Sequence, residues 1–363
     1  MRHRFHSLCP YFAMFPEGFV EKHLIWSQPG DVVLDPFCGR GTTILEALLQ
    51  HREAIGGDVN PVALCVSGAK ADPPTYRSVR ERVEELKASY RKHKSSVDGI
   101  PDAAFFQHCF HPYTLRQLVF LRGTLNWRRN RVDRFVSAML LGSLHGESHR
   151  SALCLSNRMP RTISTKPDYS VRWWQARGCV APKRDVFTVL QNIATLRYVS
   201  PLPPKRGRVV SVDARKIASR FPEYKRKVAL MITSPPYLDT TNYREDQWLR
   251  LWFLGGPESP DSKRKFDDRH HAAWKYWEFL TESWAGVGPL LKDGAHIVIR
   301  IGGRQLDPKQ VESQVQGSLR RGLSTRVRLK GKSSSRIVNG QVHAFRPGTS
   351  GARFEYDFHF QVS

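Results

Sequence analysis

Short apolar runs, each closed by a polar or glycine-rich turn, punctuate both ends of the chain and are missing from its middle. Val32-Val-Leu34 is continuously apolar, the pattern of a strand buried on both faces of a parallel sheet, and Asp35-Pro-Phe-Cys-Gly-Arg-Gly-Thr-Thr43 follows it at once. Residues 16–26 ahead of it read as a helix, with Phe19, Val20, His23 and Leu24 on one stripe and Gln28-Pro-Gly-Asp31 as its stop. A helix over about 44–50 and a second strand over Ala54-Ile-Gly-Gly57 are predicted next, the strand ending at Asp58, 23 positions after Asp35. Strand, glycine-rich turn, helix, strand, acid is the order of a nucleotide site. The strand pattern resumes at Val209-Val-Ser-Val-Asp213 and at Val228-Ala-Leu-Met-Ile232, which delivers Thr233-Ser-Pro-Pro-Tyr237. Helices are predicted over 246–253 and 274–291, and a strand over His296-Ile-Val-Ile299. Phe354, Tyr356, Phe358, Phe360 and Val362 alternate strictly with polar residues, predicting a half-buried strand, antiparallel at the sheet edge. The expected fold class is α/β, a Rossmann-like and mostly parallel sheet.

Between these halves the strand-helix alternation stops. Residues 76–95 read as a charged helical arm, helices are predicted near 114–125 and 132–144, and 158–184 is rich in Arg, Lys, Trp and Tyr. Pro201-Leu-Pro-Pro-Lys-Arg206 reads as a linker returning to the main fold. The expected organisation is a sheet domain split into 1–75 and 207–363, with a mainly helical domain inserted over 76–206.

Charge sharpens this division. The 363 residues carry 57 Lys+Arg against 33 Asp+Glu, a formal +24, and residues 76–208 hold 25 of the bases but 9 of the acids. So concentrated a charge points to a polyanion, nucleic acid first, over a merely basic chain. Six cysteines without a CxxC pair read as reduced thiols, not as a disulfide framework or zinc ribbon. No apolar run approaches the roughly 20 residues of a membrane span, and the opening residues lack a signal-peptide core, so a soluble intracellular chain is expected.

Gly39 and Gly41 stand between a strand and a helix, where absent side chains allow a tight turn and close approach of a ligand to the helix N-terminus. The alternative is an ordinary turn of an α/β sheet. A third glycine of the dinucleotide fingerprint would fall at Ile44, which disfavours a nicotinamide enzyme. Asp58 reads either as acceptor for two ribose hydroxyls or as a helix N-cap. Ser234, Pro235, Pro236 and Tyr237 sit at the carboxyl end of a buried strand, the edge at which open α/β sheets take ligands. The prolines fix a carbonyl and the Ser234 hydroxyl as paired acceptors for an amino group, and Tyr237 is placed to stack on a base. An exocyclic amine is a poor nucleophile because its lone pair is delocalised, and acceptors favouring its pyramidal form would assist attack on a methyl donor.

Asp35-Pro-Phe-Cys-Gly-Arg-Gly-Thr42 and Thr233-Ser-Pro-Pro-Tyr237 together closely resemble motifs I and IV of the bacterial and phage amino-DNA methyltransferases. The resemblance covers about 1–75 and 207–300 and implies a class I methyltransferase sheet binding S-adenosyl-L-methionine. It implies cofactor contacts at Phe12, Ala13, Met14 and Phe15 (motif X), Asp35, Pro36, Phe37, Gly39, Gly41, Thr42 and Thr43 (motif I), Asp58 and Asn60 (motif II), Asp213 (motif III) and Thr233. The Ser-Pro-Pro-Tyr version is associated with cytosine N4 more than adenine N6. Two departures touch the recognition scheme, not the chemistry: motif I precedes motif IV, and the insertion falls between motifs II and III. Carbon-5 methylation needs a thiolate, usually in a Pro-Cys pair, and no Pro-Cys occurs.

A duplex base must be flipped out or met in a single strand, so contacts around the site are required. Arg158, Arg161, Lys166, Tyr169, Arg172, Trp173, Trp174 and Arg177 interleave cations with aromatics and are the candidate nucleic-acid residues, Trp173 and Trp174 reading equally as core. Arg128, Arg129, Arg131 and Arg134 read as a second backbone-contacting cluster or a solvated face. His145 and His149, with Glu147 and Cys154, do not form the zinc-protease motif, and these, His108/His111 and His270/His271 read as structural or nucleic-acid-contacting; no metal is expected. The expected function is site-specific DNA methylation at cytosine N4, the alternatives being adenine N6, an RNA amino-methyltransferase, or a non-catalytic DNA-binding protein on the same scaffold. The family setting implies DNA as partner, a restriction or phage-defence protein as a further one, and a bacterial or phage-encoded protein in the cytoplasm at the nucleoid.

Overall fold

The computed structural model describes residues 2–11, 15–159, 166–238, 243–260, 272–303, 306–307, 309–336 and 354–363. The chain divides into two compact units: one of 13–71, 203–241 and 264–363, the other of 1–12, 72–202 and 242–263.

The first unit is built on a sheet of β1 (Val32–Asp35), β2 (Glu53–Asp58), β3 (Arg208–Ser211), β4 (Val228–Thr233), β5 (Leu291–Gly302), β6 (Val327–Arg336) and β7 (Phe354–Val362). Their order is β3-β2-β1-β4-β5-β7-β6. β3, β2, β1, β4 and β5 run parallel, and β7 is antiparallel to both β5 and β6. This is the class I methyltransferase sheet, with its one reversed strand at the side where the sheet ends.

The pleat sorts side chains onto two cores. Val33, Leu230, Ile232 and Val298 join Phe15, Phe19, Val20, Leu24, Ile44 and Leu48 on one face. Leu34, Met231, Ile297, Ile299, Phe358 and Phe360 face Tyr276, Leu280, Trp284, Val315 and Leu319 on the other. Helices α1 (Glu17–His23) and α2 (Thr42–Leu49) supply the first cover; α3 (Pro61–Ala71) follows β2. Burial on both faces explains the unbroken apolar runs of β1 and β4. β6 escaped the sequence pattern because it is the outermost strand, exposed from Lys330 to Arg336 and carrying few apolar residues.

The second unit is helical among the described residues: α4 (Tyr76–His93), α5 (Ala104–Cys109), α6 (Pro112–Thr124), α7 (Arg131–Ser143), α8 (Pro167–Gln175), α9 (Val186–Arg197), α10 (Tyr243–Asp246) and α11 (Trp248–Phe253). Sequence reading assigned 1–75 and 207–363 wholly to the sheet; instead, 1–12 and 242–263 lie with the helices. The reason is packing. Trp248 and Trp252 of α11 lie against Phe105 and Phe106, and fully buried Arg250 donates to the carbonyls of Leu141 and Pro10. The backbone at Leu8 lies so close to Gly142 that a Cβ there would overlap the Leu8 carbonyl oxygen. In the sheet unit the chain continues through α12 (Ala273–Val287) and α13 (Val311–Gly322).

Candidate active site

β1 and β4 are adjacent and parallel, so their carboxyl ends deliver the glycine turn and the diproline turn side by side. Two side chains fasten them. Thr233 Oγ1 donates to Asp35 Oδ1 at 2.7 Å, and Thr43 Oγ1 donates to the Ile232 carbonyl at 3.1 Å. Asp35 also accepts from the Phe37 amide at 3.1 Å. Burial pushes the Asp35 carboxyl up to about 7, against the pull of its bonds to Thr233, Phe37 and Thr43.

Asp58 stands at the tip of β2, beside β1. Its carboxylate accepts from the amides of Gly39 and Asn60, both at 2.9 Å, tying the glycine turn to the strand tip. Burial raises its pKa, and those amides work against the rise. With four lone-pair directions, and the Val59 amide acting on it as well, the carboxylate keeps about one acceptor position open. Next to it Val59 is 53% exposed, an apolar side chain open at a strand tip, which sequence reading did not single out.

The glycines divide their work. Gly39 adopts φ +48° within the turn. At Gly41, φ is +73° and a Cβ would lie 2.8 Å from Ser67 Cβ and 2.9 Å from Ser67 Cα, so the missing side chain admits α3. Beneath the turn, fully buried Lys70 donates to the Arg40 carbonyl at 2.6 Å, and Arg40 pairs with Glu17 at 3.8 Å and bonds Thr42 Oγ1 at 3.2 Å. Glu46 completes this group, pushed up to about 7 by burial and by Glu21 and Glu17, against Lys70. The lone lysine in the apolar Ala63-Leu-Cys-Val-Ser-Gly-Ala-Lys70 run was the available signal for it.

Other motif residues make contacts within the sheet unit. Phe15 is buried against Phe19, ring centroids 5.0 Å apart, and Phe37 packs on Phe279 and Trp284. Pro36 is buried in the turn and Asn60 caps α3 by accepting from the Val62 amide at 3.0 Å. Asp213 lies next to the β2 tip through the Val212 amide bond to the Asp58 carbonyl, but its own carboxylate is gripped by Arg215 at 2.8 and 3.0 Å. Phe12, Ala13 and Met14 lie outside the described residues.

In the diproline turn, Ser234 Oγ is buried and, among the described residues, makes no hydrogen bond of regular geometry, though it lies close enough to the Tyr237 hydroxyl to oppose the rise of that phenol's pKa. Tyr237, expected to stack on a base, is packed into the turn. It is 6% exposed, its ring lies on Gly302, where a Cβ would be 2.5 Å from Cε2, and its hydroxyl donates to Glu355 Oε1 at 2.6 Å. The ring is a wall of the turn.

In the helical unit, Trp174 is a core residue, 1% exposed, donating its indole N–H to the Arg158 carbonyl at 2.7 Å and packing on Phe105. Ser170 is buried with it, while along and just beyond α8 Lys166, Tyr169, Arg172 and Arg177 are exposed, and the Arg177 guanidinium lies 4.5 Å over the half-buried Trp173 ring. Arg158 is exposed, and Arg161 lies outside the described residues. Of the other cluster, Arg131 pairs with Asp72 and Arg134 caps carbonyls of Trp127 and Arg128, while Arg128 and Arg129 are exposed. Among the described residues no three His, Cys, Asp or Glu side chains are arranged to hold a metal. His145 is buried, its pKa well lowered by burial and by Arg250. Among the described residues no helix is long and apolar enough to cross a membrane.

A family model for the N6/N4 group, described as DNA methylase, matches residues 3–66. The orphan methyltransferase M.BamHII of Bacillus amyloliquefaciens is 47% identical over 49 residues, 13% of this chain and 18% of that relative's length. The chain therefore spans less than a fifth of that relative. Solved structures that resemble it distantly include TrmN from Thermus thermophilus, at a TM-score of 0.36 and 13% identity, covering 99% of this chain and 52% of that one. The rRNA methyltransferase AviRa from Streptomyces viridochromogenes gives 0.38 and 9%, covering 99% and 94%. Over residues 3–66 the chain is therefore similar to the N6/N4 DNA methylases, and the part of that stretch from β1 to α3 lies in the seven-stranded sheet unit.

Proposed function

We propose that this chain moves a methyl group from S-adenosyl-L-methionine to the exocyclic amino group of a DNA base, cytosine N4 in preference to adenine N6. The observation that carries the reading is the Thr233–Asp35 hydrogen bond, which fastens the cofactor-type turn to the Ser234-Pro-Pro-Tyr237 turn. The donor set fits a nucleoside cofactor: a carboxylate at Asp58 with remaining acceptor capacity, an open apolar Val59 beside it, and a turn of positive-φ glycines.

When bound, S-adenosyl-L-methionine would supply a methyl group on a sulfonium centre. Asp58 would hold the ribose and Val59 lie against the flat purine. Ser234 Oγ and a carbonyl of the rigid turn accept the two amino hydrogens, favouring the pyramidal nitrogen in the transition state. Tyr237 limits where the base can rest. The basic outer face of α8, with Lys166, Tyr169, Arg172, Trp173 and Arg177, supports a role of the helical unit in holding the nucleic acid. The cytosine preference rests on the Ser-Pro-Pro-Tyr sequence.

The test is incubation with methyl-labelled cofactor and, in parallel, duplex DNA, single-stranded DNA and transfer RNA, followed by digestion and mass spectrometry of the nucleosides. N4-methylcytosine in DNA is expected. N6-methyladenine would correct the base, label in RNA with DNA inert would replace the substrate, and failure to bind the cofactor by calorimetry would overturn the activity.

A further inference from the structure

Beside the diproline turn, β5 and β7 carry an ionic network that the proposed chemistry does not itself use. Glu355 accepts from the Tyr237 hydroxyl through Oε1 at 2.6 Å, while its Oε2 lies 3.2 Å from Arg300 Nη1. Arg300 is fixed in turn: Nε and Nη2 bond the two oxygens of Asp357 at 2.7 and 2.8 Å, and the guanidinium sits 4.1 Å over the Phe19 ring. The β5–β7 register sets Arg300 opposite Asp357 and Gly302 opposite Glu355, so the whole set rides on paired backbone. Bidentate, partly desolvated pairing of this kind holds geometry better than an exposed pair.

Resting on the methyltransferase reading, we infer that Glu355, itself held by Arg300, is a positioning residue for Tyr237, fixing the phenol ring as the wall against which the acceptor amine is lodged. A phenol on a turn has two soft side-chain torsions, and its hydroxyl is the one polar point by which they are locked. Gly302 removes the side chain that would push the ring off the strand, and the Leu238 amide bond to the Gly302 carbonyl, 3.2 Å, closes the turn onto β5. Burial, then the Glu355 charge and hydrogen bond, raise the Tyr237 pKa well above 10, with the Ser234 hydroxyl weakly opposed. The phenol therefore remains a neutral donor to the carboxylate throughout the working pH range. Sequence alone gave no hint, because Glu355 lies 118 positions beyond its partner in an ordinary alternating strand.

Full-length Tyr237→Phe, Glu355→Ala, Glu355→Gln and the Tyr237→Phe/Glu355→Ala pair test this. Single-turnover methyl transfer should slow about tenfold in Tyr237→Phe and in Glu355→Ala, and the pair should be no slower than either. Glu355→Gln, whose amide oxygen still accepts the phenol hydrogen, should recover most of the rate, with cofactor affinity by calorimetry unchanged throughout. A 3-fluorotyrosine placed at 237 reports the contact without any turnover: its fluorine resonance should move in Glu355→Ala and stay near the wild-type position in Glu355→Gln. Additive slowing in the double variant, or an unmoved resonance in Glu355→Ala, would overturn the assignment. A resonance that responds in a chain transferring no methyl group would uphold the anchor and remove the methyltransferase reading instead.

Discussion

The hydroxyl of Thr233 and the carboxyl of Asp35, on neighbouring strands 198 positions apart in sequence, share a buried 2.7 Å hydrogen bond at the point where both strands end. The bond makes the two turns one object. Thr233→Val keeps the shape and removes the donor, leaving a carboxyl oxygen with one fewer partner. Stability should fall by about 1–3 kcal/mol and the Asp35 pKa should rise further, because that bond currently opposes the effect of burial. Denaturant titration with carboxyl-carbon NMR reads both, and an unchanged midpoint would show the bond to be dispensable.

Gly41 separates a packing role from a binding one. Gly41→Ala meets both a left-handed backbone and the Ser67 backbone atom 2.9 Å away, so the cofactor-free protein should lose about 2–4 kcal/mol. If the glycine served the ligand alone, melting without cofactor would be unaffected and affinity alone would drop.

The adjacent tryptophans of α8 should part company. Trp174→Ala empties a core position and should cost about 3–5 kcal/mol of stability. Trp173→Ala should leave melting nearly unchanged and weaken single-stranded DNA binding by about 1–3 kcal/mol. Fluorescence anisotropy beside thermal melts distinguishes them, and equal binding by the Trp173 variant would take that ring out of the interface.

Glu46 gives a pH dependence with a definite sign. Its carboxyl holds a proton up to about 7 in the folded chain against 4.5 in the unfolded reference, so the folded state binds that proton more tightly. Its contribution is fully present below pH 4.5 and is lost as pH rises towards 7, at a slope of at most about 1.4 kcal/mol per pH unit per proton. Asp35 acts in the same direction. Glu46→Gln should flatten the fall in unfolding free energy between pH 5 and about 7; an identical slope in the variant would place the proton elsewhere.

What sequence made legible was whatever repeats over short distances. Val32-Val-Leu34 and Val228 to Ile232 are apolar without interruption because both faces of those strands are covered, and glycine and proline announce the turns that follow. α3 was not legible: it is buried nearly all round, so it has no polar stripe to betray a helical period. Lys70, Arg40 and Glu46 meet only after α3 and α2 pack, and Glu355 reaches Tyr237 only through the β5–β7 pairing. The helical unit defeated a linear reading of its borders because Trp248, Trp252 and Arg250 return to it from beyond the diproline turn. The tryptophans of α8 differ in role by one position, which is a rotation of the helix that composition does not record.

β6 leaves one side of its backbone without a strand partner among the described residues, and beyond Leu329 it offers Lys330, Lys332, three consecutive serines and Arg336 to solvent. An open ladder of amides invites a second sheet to dock in line, and like charges with short hydroxyl side chains discourage that docking. The outermost strand of the sheet thus carries its own guard against edge-to-edge growth from one copy to the next.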